Sequence, residues 1–426
     1  MASTAAGRPP DPTGRRTAMT SQPRTERPPV HVWEVEDLPA LEFDPMMTTL
    51  LRDEPVSRIR LPFAGDMDAW LVTRYEDVKA VASDPRFSRE ALRDIKVTAI
   101  SGHRVAGAAA LNYTDPPYHT KLRKIVNKAF TGRHMKGLRP MTQQTADELL
   151  DAMEEQGPPA DLMTHLHGPL PLAVVSDLLG VPREERDKFT VWPDQILNAG
   201  IGAEASMAAK AEVTAYVVEL LRSRFGRAAE GTDDLAGVLA QAWEAGEIEQ
   251  DEAVSLATAI VISGAHAVRY NSANMVYMLL THPELMDRLR DDSGLVPQAV
   301  DELIRHIPHR NAVGIPRIAM EDVEVGGHVI PAGDAVYVSY LAANRDPAVF
   351  ENPDAVDFDR QGVSHLSFGH GVHHCMGAML ARMESEVMVS SLLDRFPKLR
   401  LAGPPQDTVF QSKAFIRGPQ TLVVTW

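Results

Sequence analysis

Cysteine is almost absent from this chain. Cys375 is the single one in 426 residues, so no intramolecular disulfide can form and no set of cysteines can hold an iron–sulfur cluster. No apolar leader opens the sequence, so no secretion signal is read and a reducing cytoplasm is the expected compartment. Positive charge is in deficit. With 43 Lys and Arg against 58 Asp and Glu, the formal net charge is −15, which argues against a nucleic-acid binder carrying a basic stripe. An uninterrupted hydrophobic run is missing as well: the most apolar stretch, Ala253–Leu280, carries His266, Arg269, Asn271 and Asn274 near its middle. Such groups are costly in lipid, so the stretch reads as a buried helix and no membrane association is expected. No internal repeat and no interdomain linker follows Trp33.

What is present is ordinary for a globular enzyme, with 44% hydrophobic and 24% charged residues, enough for a large core. Residues 1–29 are rich in Pro, Arg, Thr and Ser, contain a second methionine, Met19, and read as a disordered or tag-like segment. Residues 30–426 read as one domain. Apolar residues recur every three or four positions over Tyr75–Ser83, Tyr118–Phe130, Met141–Glu155, Pro171–Leu179, Ala205–Ala228, Gln250–Leu280, Pro283–Arg290, Pro297–Ile307 and Gly377–Phe396, predicting helices. Val323–Val325, His328–Ile330 and Ala335–Tyr340, joined by Gly326-Gly327 and Pro331-Ala332-Gly333-Asp334 turns, predict a small meander. The class is mainly α with a small β meander.

The densest chemical signal is Phe368-Gly369-His370-Gly371-Val372-His373-His374-Cys375-Met376-Gly377, which runs directly into a helical pattern. A lone cysteine is ordinarily a small buried hydrophobe. Here three glycines permit backbone turns and close approach to a flat ligand, and the following helix N-terminus offers N–H groups that stabilise a thiolate. A thiolate so placed is suited to bind iron. A zinc cluster of His370, His373, His374 and Cys375 is the competing reading, but structural zinc sites draw on two separated pairs, and adjacent residues such as His374 and Cys375 point in different directions.

The segment resembles the Phe-Gly-x-Gly-x-His-x-Cys-x-Gly ligand loop of the cytochrome P-450 superfamily, with every specified position matched. The resemblance extends from about residue 33 to the C-terminus. It implies a single-domain cytochrome P-450 fold and one b-type haem, with Cys375 as axial ligand and Phe368 and Gly377 shaping the loop around the cofactor. Glu302 and Arg305, three apart on a helix and otherwise an unremarked surface pair, resemble the family's Glu-x-x-Arg helix, with Arg360 as third member of a structural ion network. His119 and Arg123, four apart and otherwise a solvated polar face, resemble the pair that holds haem propionates. Arg317 and His373 match two further propionate contacts.

In the long helix, Ser263-Gly264-Ala265-His266-Ala267 aligns with the family's Gly-x-acid-Thr segment, in which an acid and an alcohol supply protons for dioxygen cleavage. Gly264 is kept; His266 replaces the acid and Ala267 the alcohol. Ala267 has no hydroxyl to donate, whereas His266 can relay protons near neutral pH or can be a satisfied core histidine. The His-Ala pair resembles that of the family's indolocarbazole-pathway member, which joins the indole rings of chromopyrrolic acid, a bis-indole dicarboxylate, by oxidative C–C coupling on the way to the staurosporine core. The resemblance places variable substrate walls at Arg89–Asn112, Trp192–Ala205, Ala259–Ala267, Asn311–Ile315 and Phe410–Phe415. His103, Arg104 and Asn112 there could bind an acidic substrate or face solvent as loop residues.

The expectation is therefore a haem-thiolate monooxygenase-type oxidoreductase of antibiotic biosynthesis that activates dioxygen and couples aromatic rings. Its electrons come from NAD(P)H through a separate ferredoxin and ferredoxin reductase, and it works as a monomer on a small aromatic molecule. The rival readings are an aliphatic hydroxylase of a macrolide-like product, a peroxygenase, and a non-catalytic haem sensor or carrier.

Overall fold

Glu249 and Glu252 open the longest helix with a reciprocal capping box, in which the Glu249 N–H donates to Glu252 Oε2 at 2.7 Å, satisfying amides that have no partner within the helix. The computed structural model describes residues 27–63, 65, 67–99, 111–189, 192, 203–226, 234–309, 313–412, 414 and 416–426. Residues 1–26, most of the expected N-terminal segment, lie outside them.

The helix so begun, Gln250–Thr281, is apolar on most of its circumference and is long and apolar enough to cross a membrane by length and composition. Here it is the core element, packed against Pro169–Leu179, Ala203–Arg222, Leu235–Glu244 and Ala378–Arg395, which explains why its apolar residues show no single stripe. The helix Ala378–Arg395 in turn packs on Gly132–Gln156 and Val296–His306. Gly132–Gln156 starts well before Met141, where periodicity placed it. Thr131 caps it, its hydroxyl accepting from the His134 N–H, and Pro140 sits inside the helix without ending it. The Tyr118 helix stops at Val126 rather than Phe130.

Strands are more extensive than the sequence indicated. Among the described residues they form a six-stranded sheet in the order Val30–Val32, Val56–Arg60, Ala69–Val72, Ala335–Val338, Arg317–Ala319 and Phe87–Ser88, a three-stranded sheet, and a two-stranded hairpin. The hairpin is Val323–Val325 with His328–Ile330, turned by Gly326 and Gly327 at φ +56° and +79°. The third strand of the expected meander does not join it. Ala335–Val338 pairs parallel with Ala69–Val72 and antiparallel with Arg317–Ala319. Asp334 holds it there by accepting from Trp70 Nε1 at 2.9 Å. Because these two central strands are buried along their whole length, they carry no apolar/polar alternation to read.

Candidate active site

The loop before the Ala378–Arg395 helix folds on its own backbone: the Gly369 N–H donates to Leu366 O at 2.8 Å, His374 N–H to Gly371 O at 3.0 Å and Cys375 N–H to Phe368 O at 2.8 Å. Gly369 and Gly371 hold φ of +79° and +73°, and a Cβ at Gly371 would lie 2.5 Å from Ala82 O. Those two positions require glycine. Gly377 is the helix N-cap at φ −84°, and within the protein a Cβ there would meet only Cys375 Sγ at 3.9 Å. Cys375 is exposed, three residues ahead of the helix. Phe368 lies beneath the Arg382 guanidinium, 4.5 Å from its ring centre. Among the described residues, no three His, Cys, Asp or Glu side chains form a metal-binding group.

Cationic groups gather beside this loop. His119 is 1% exposed, which corrects the solvated-face alternative, and its ring meets that of His373 at 4.4 Å between centroids. Arg123 Nη1 donates to Val372 O at 3.1 Å. Arg317 is buried, with Nη2 donating to Tyr340 Oη at 3.4 Å. Sequence reasoning missed a fifth member, Arg89. The strand pairing Phe87↔Ala319 and Ser88↔Ile318 brings Arg89 across from Arg317, and both are buried. The nearby Asp115 carboxylate is occupied by Ser88 Oγ and by the N–H groups of Arg89 and Glu90.

Burial, reinforced by neighbouring positive charge, lowers the proton affinity of the group. Burial and then Arg317 bring Arg89 down to about 9. Burial followed by Arg123 and Arg89 brings His119 to about 4, and burial with Arg89 foremost among the charges brings His373 to about 2. The buried atoms His119 Nε2, Arg89 Nε and Arg317 Nη1 make no hydrogen bond. Orphaned buried donors converging beside an Asp115 carboxylate already taken up by Ser88 and two backbone N–H groups fit a ligand that brings its own anionic groups. A soft sulfur on the adjoining loop completes a donor set that fits haem with its two propionates.

Glu302, Arg305 and Arg360 come together in the core. Arg305 forks onto Glu302 at 2.7 and 2.8 Å, and Arg360 Nε lies 3.1 Å from Glu302 Oε1. The remaining arginine N–H groups donate to the backbone oxygens of Asn344, Glu351, Asn352, Pro353 and Ala355. The network is satisfied almost throughout, as buried charge requires.

On the central helix, Gly264 admits the neighbouring helix: a Cβ would stand 3.1 Å from Val175 Cγ2. His266 is buried and meets the Tyr270 ring edge-on. The Ala267 carbonyl accepts from Asn271 Nδ2 at 2.9 Å. Of the expected substrate walls, Asn112 is exposed, whereas His103, Arg104, residues 193–202, residues 311–312, and residues 413 and 415 lie outside the described residues.

The chain matches the sequence model of the cytochrome P450 family over residues 197–426. It is 45% identical over 414 residues to a biflaviolin synthase of Streptomyces coelicolor, covering 97% of this chain and all of that protein. It is 42% identical to the nocardicin C N-oxygenase of Nocardia uniformis subsp. tsuyamanensis, covering 91% of this chain and 96% of that one. Among solved structures, that of cytochrome P450mel 107F1, with biaryl coupling reactivity, superposes with a TM-score of 0.87 at 42% identity over 93% of this chain and all of that one.

Proposed function

Because the chain belongs to the cytochrome P450 family, as a bacterial monooxygenase-type oxidoreductase of secondary metabolism, we propose that it joins electron-rich aromatic rings by oxidative C–C coupling. The observation that carries this reading is the central helix, which presents His266 and Ala267 where the family's acid and alcohol are expected. One relative named above is a biflaviolin synthase and another has biaryl coupling reactivity. The proposal commits to the aromatic class and keeps the bis-indole dicarboxylate chromopyrrolic acid as one substrate to be tried beside flaviolin.

Cys375 would hold the haem iron through its thiolate, and His119, Arg123, Arg317, His373 and the additional Arg89 would take the propionates. When bound, haem supplies an oxidant strong enough to remove electrons from an aromatic ring, driven by dioxygen. Two aryl C–H bonds give way to one C–C bond, so two protons and two electrons leave the substrate. With two more electrons from a redox partner and two more protons, they account for reduction of dioxygen to two waters. His266 accepts the ring protons at its imidazole and returns protons on the oxygen side; Ala267 offers no hydroxyl for that task and leaves it to His266. Gly264 keeps the helix close to Val175 and so fixes where His266 stands. We assign the electrons to NAD(P)H through a ferredoxin and its reductase, and place the enzyme in the cytoplasm as a monomer.

The test is turnover with ferredoxin, reductase and NADPH on flaviolin and on chromopyrrolic acid, read by mass spectrometry. A flaviolin product of twice the substrate mass less two hydrogens, or a ring-closed product from chromopyrrolic acid, is expected. Products gaining one oxygen, with no coupled material, would replace coupling by hydroxylation.

A further inference from the structure

One helical turn after His266 stands Tyr270, and the two rings meet edge to face, 4.8 Å between centroids at 67°. Tyr270 is itself fixed from a distant part of the chain. Gln411 Nε2 donates to its Oη at 2.6 Å. Gly418 gives the ring its room, since a Cβ at that position would lie 2.5 Å from Tyr270 Cδ1 and 2.9 Å from Cγ. The Arg269 guanidinium lies 5.3 Å from the ring centre on the helix itself. Gln411 and Gly418 belong to one C-terminal hairpin: the Gln411 N–H donates to Gly418 O at 2.9 Å, the Gln420 N–H donates to Val409 O at 2.8 Å, and Phe410 bridges to Pro419. The hairpin, 141 residues away in sequence, therefore grips the ring against which His266 rests.

An imidazole has two nitrogens with different roles, and a proton-handling histidine must be held in one orientation to be useful. We propose that Tyr270 is the positioning residue for His266, and that Gln411 and Gly418 of the C-terminal hairpin set where Tyr270 stands. This rests on the reading of His266 as the group that handles protons. Phe410 and Gln411 of the hairpin fall in the Phe410–Phe415 segment that the family resemblance assigns to the substrate wall, so the proposal links that wall to the orientation of the proton carrier. Tyr270 touches no reacting atom in this scheme; it acts through His266.

The experiment uses the haem-loaded enzyme with its redox partners and the aromatic substrate that turns over. His266→Ala, Tyr270→Leu, Tyr270→Phe and Gly418→Ala are compared singly, and Tyr270→Leu is also placed in the His266→Ala background. Displacing a positioned group by about an ångström costs on the order of 10²-fold in rate. Tyr270→Leu and Gly418→Ala should therefore lower kcat by about 10- to 100-fold, keep KM within about twofold, and raise the solvent deuterium isotope effect on product formation. Tyr270→Phe keeps the ring and its packing on Gly418 but loses the Gln411 bond, so its kcat should fall between those of the wild type and Tyr270→Leu. In the His266→Ala background Tyr270→Leu should cost nothing further. If His266→Ala is slow but Tyr270→Leu and Gly418→Ala turn over normally, or if Tyr270→Leu costs as much without His266 as with it, Tyr270 does not position His266. If His266→Ala itself turns over normally, the proton-handling reading fails, and this inference fails with it.

Discussion

Arg89 and Arg317 face each other across antiparallel strands, both buried, and no ion pair among the described residues reaches either one. Two like charges placed this way oppose folding until an anion arrives. Arg89→Met should therefore have opposite effects on two states. The haem-free chain should melt at a higher temperature than the wild type, while haemin should bind about 10- to 150-fold more weakly, as the loss of one charge-assisted hydrogen bond of about 1.5–3 kcal/mol implies. Absorbance titration of the haem-free protein and thermal melts read the two effects. Unchanged haemin affinity would remove Arg89 from the cradle.

Cys375→Ser should abolish the carbon monoxide difference band of the reduced protein, because a hydroxyl does not replace the thiolate as iron ligand, while far-UV circular dichroism keeps its helical signal. A retained band would mean that the iron is held elsewhere.

Glu302→Ala leaves buried Arg305 and partly buried Arg360 without their shared carboxylate. Removing one partner of such a network costs about 3–5 kcal/mol, to be measured by urea unfolding. A loss below about 1 kcal/mol would show that the backbone oxygens around the two guanidinium groups suffice.

Glu384 is buried in the Ala378–Arg395 helix, its Oε2 makes no hydrogen bond, and burial raises its pKa well above the usual carboxylate value. The folded state therefore keeps it protonated where the unfolded chain ionises. Its contribution to stability is fully present below about pH 4.5 and is lost as the pH climbs toward the folded value, by up to about 1.4 kcal/mol per pH unit. Glu384→Gln does not titrate. The variant's melting temperature should gain on the wild type as the pH rises from 5 to 8, and a pH-independent difference would show that Glu384 is ionised in the native protein.

The residues that spacing alone could group share one property, a local relation, whereas Arg317, His373 and Arg360 were reached only through the family resemblance. The cysteine loop is ten contiguous residues, Glu302 and Arg305 are three apart on one helix, and His119 and Arg123 are four apart on another. Helical spacing fixes such neighbours whatever the remainder of the chain does. The mainly helical class was legible for the same reason, since period 3.6 is written into each segment.

Tertiary structure decided what depends on distant partners. Strand partners are chosen by what both faces are buried against, so the pairing of Ala335–Val338 with Ala69–Val72, more than 260 residues apart, left no local mark. Arg89 looks like any charged residue before a short 3-10 turn until register sets it beside Arg317. Tyr270 is one more apolar position on a helix until Gln411 and Gly418 close on it. The sequence alone determined the mainly helical class and the cysteine loop that marks the cytochrome P450 family. Folding determined which side chains share a buried space with too much positive charge, because desolvation and like-charge repulsion arise only once the groups are brought together away from water.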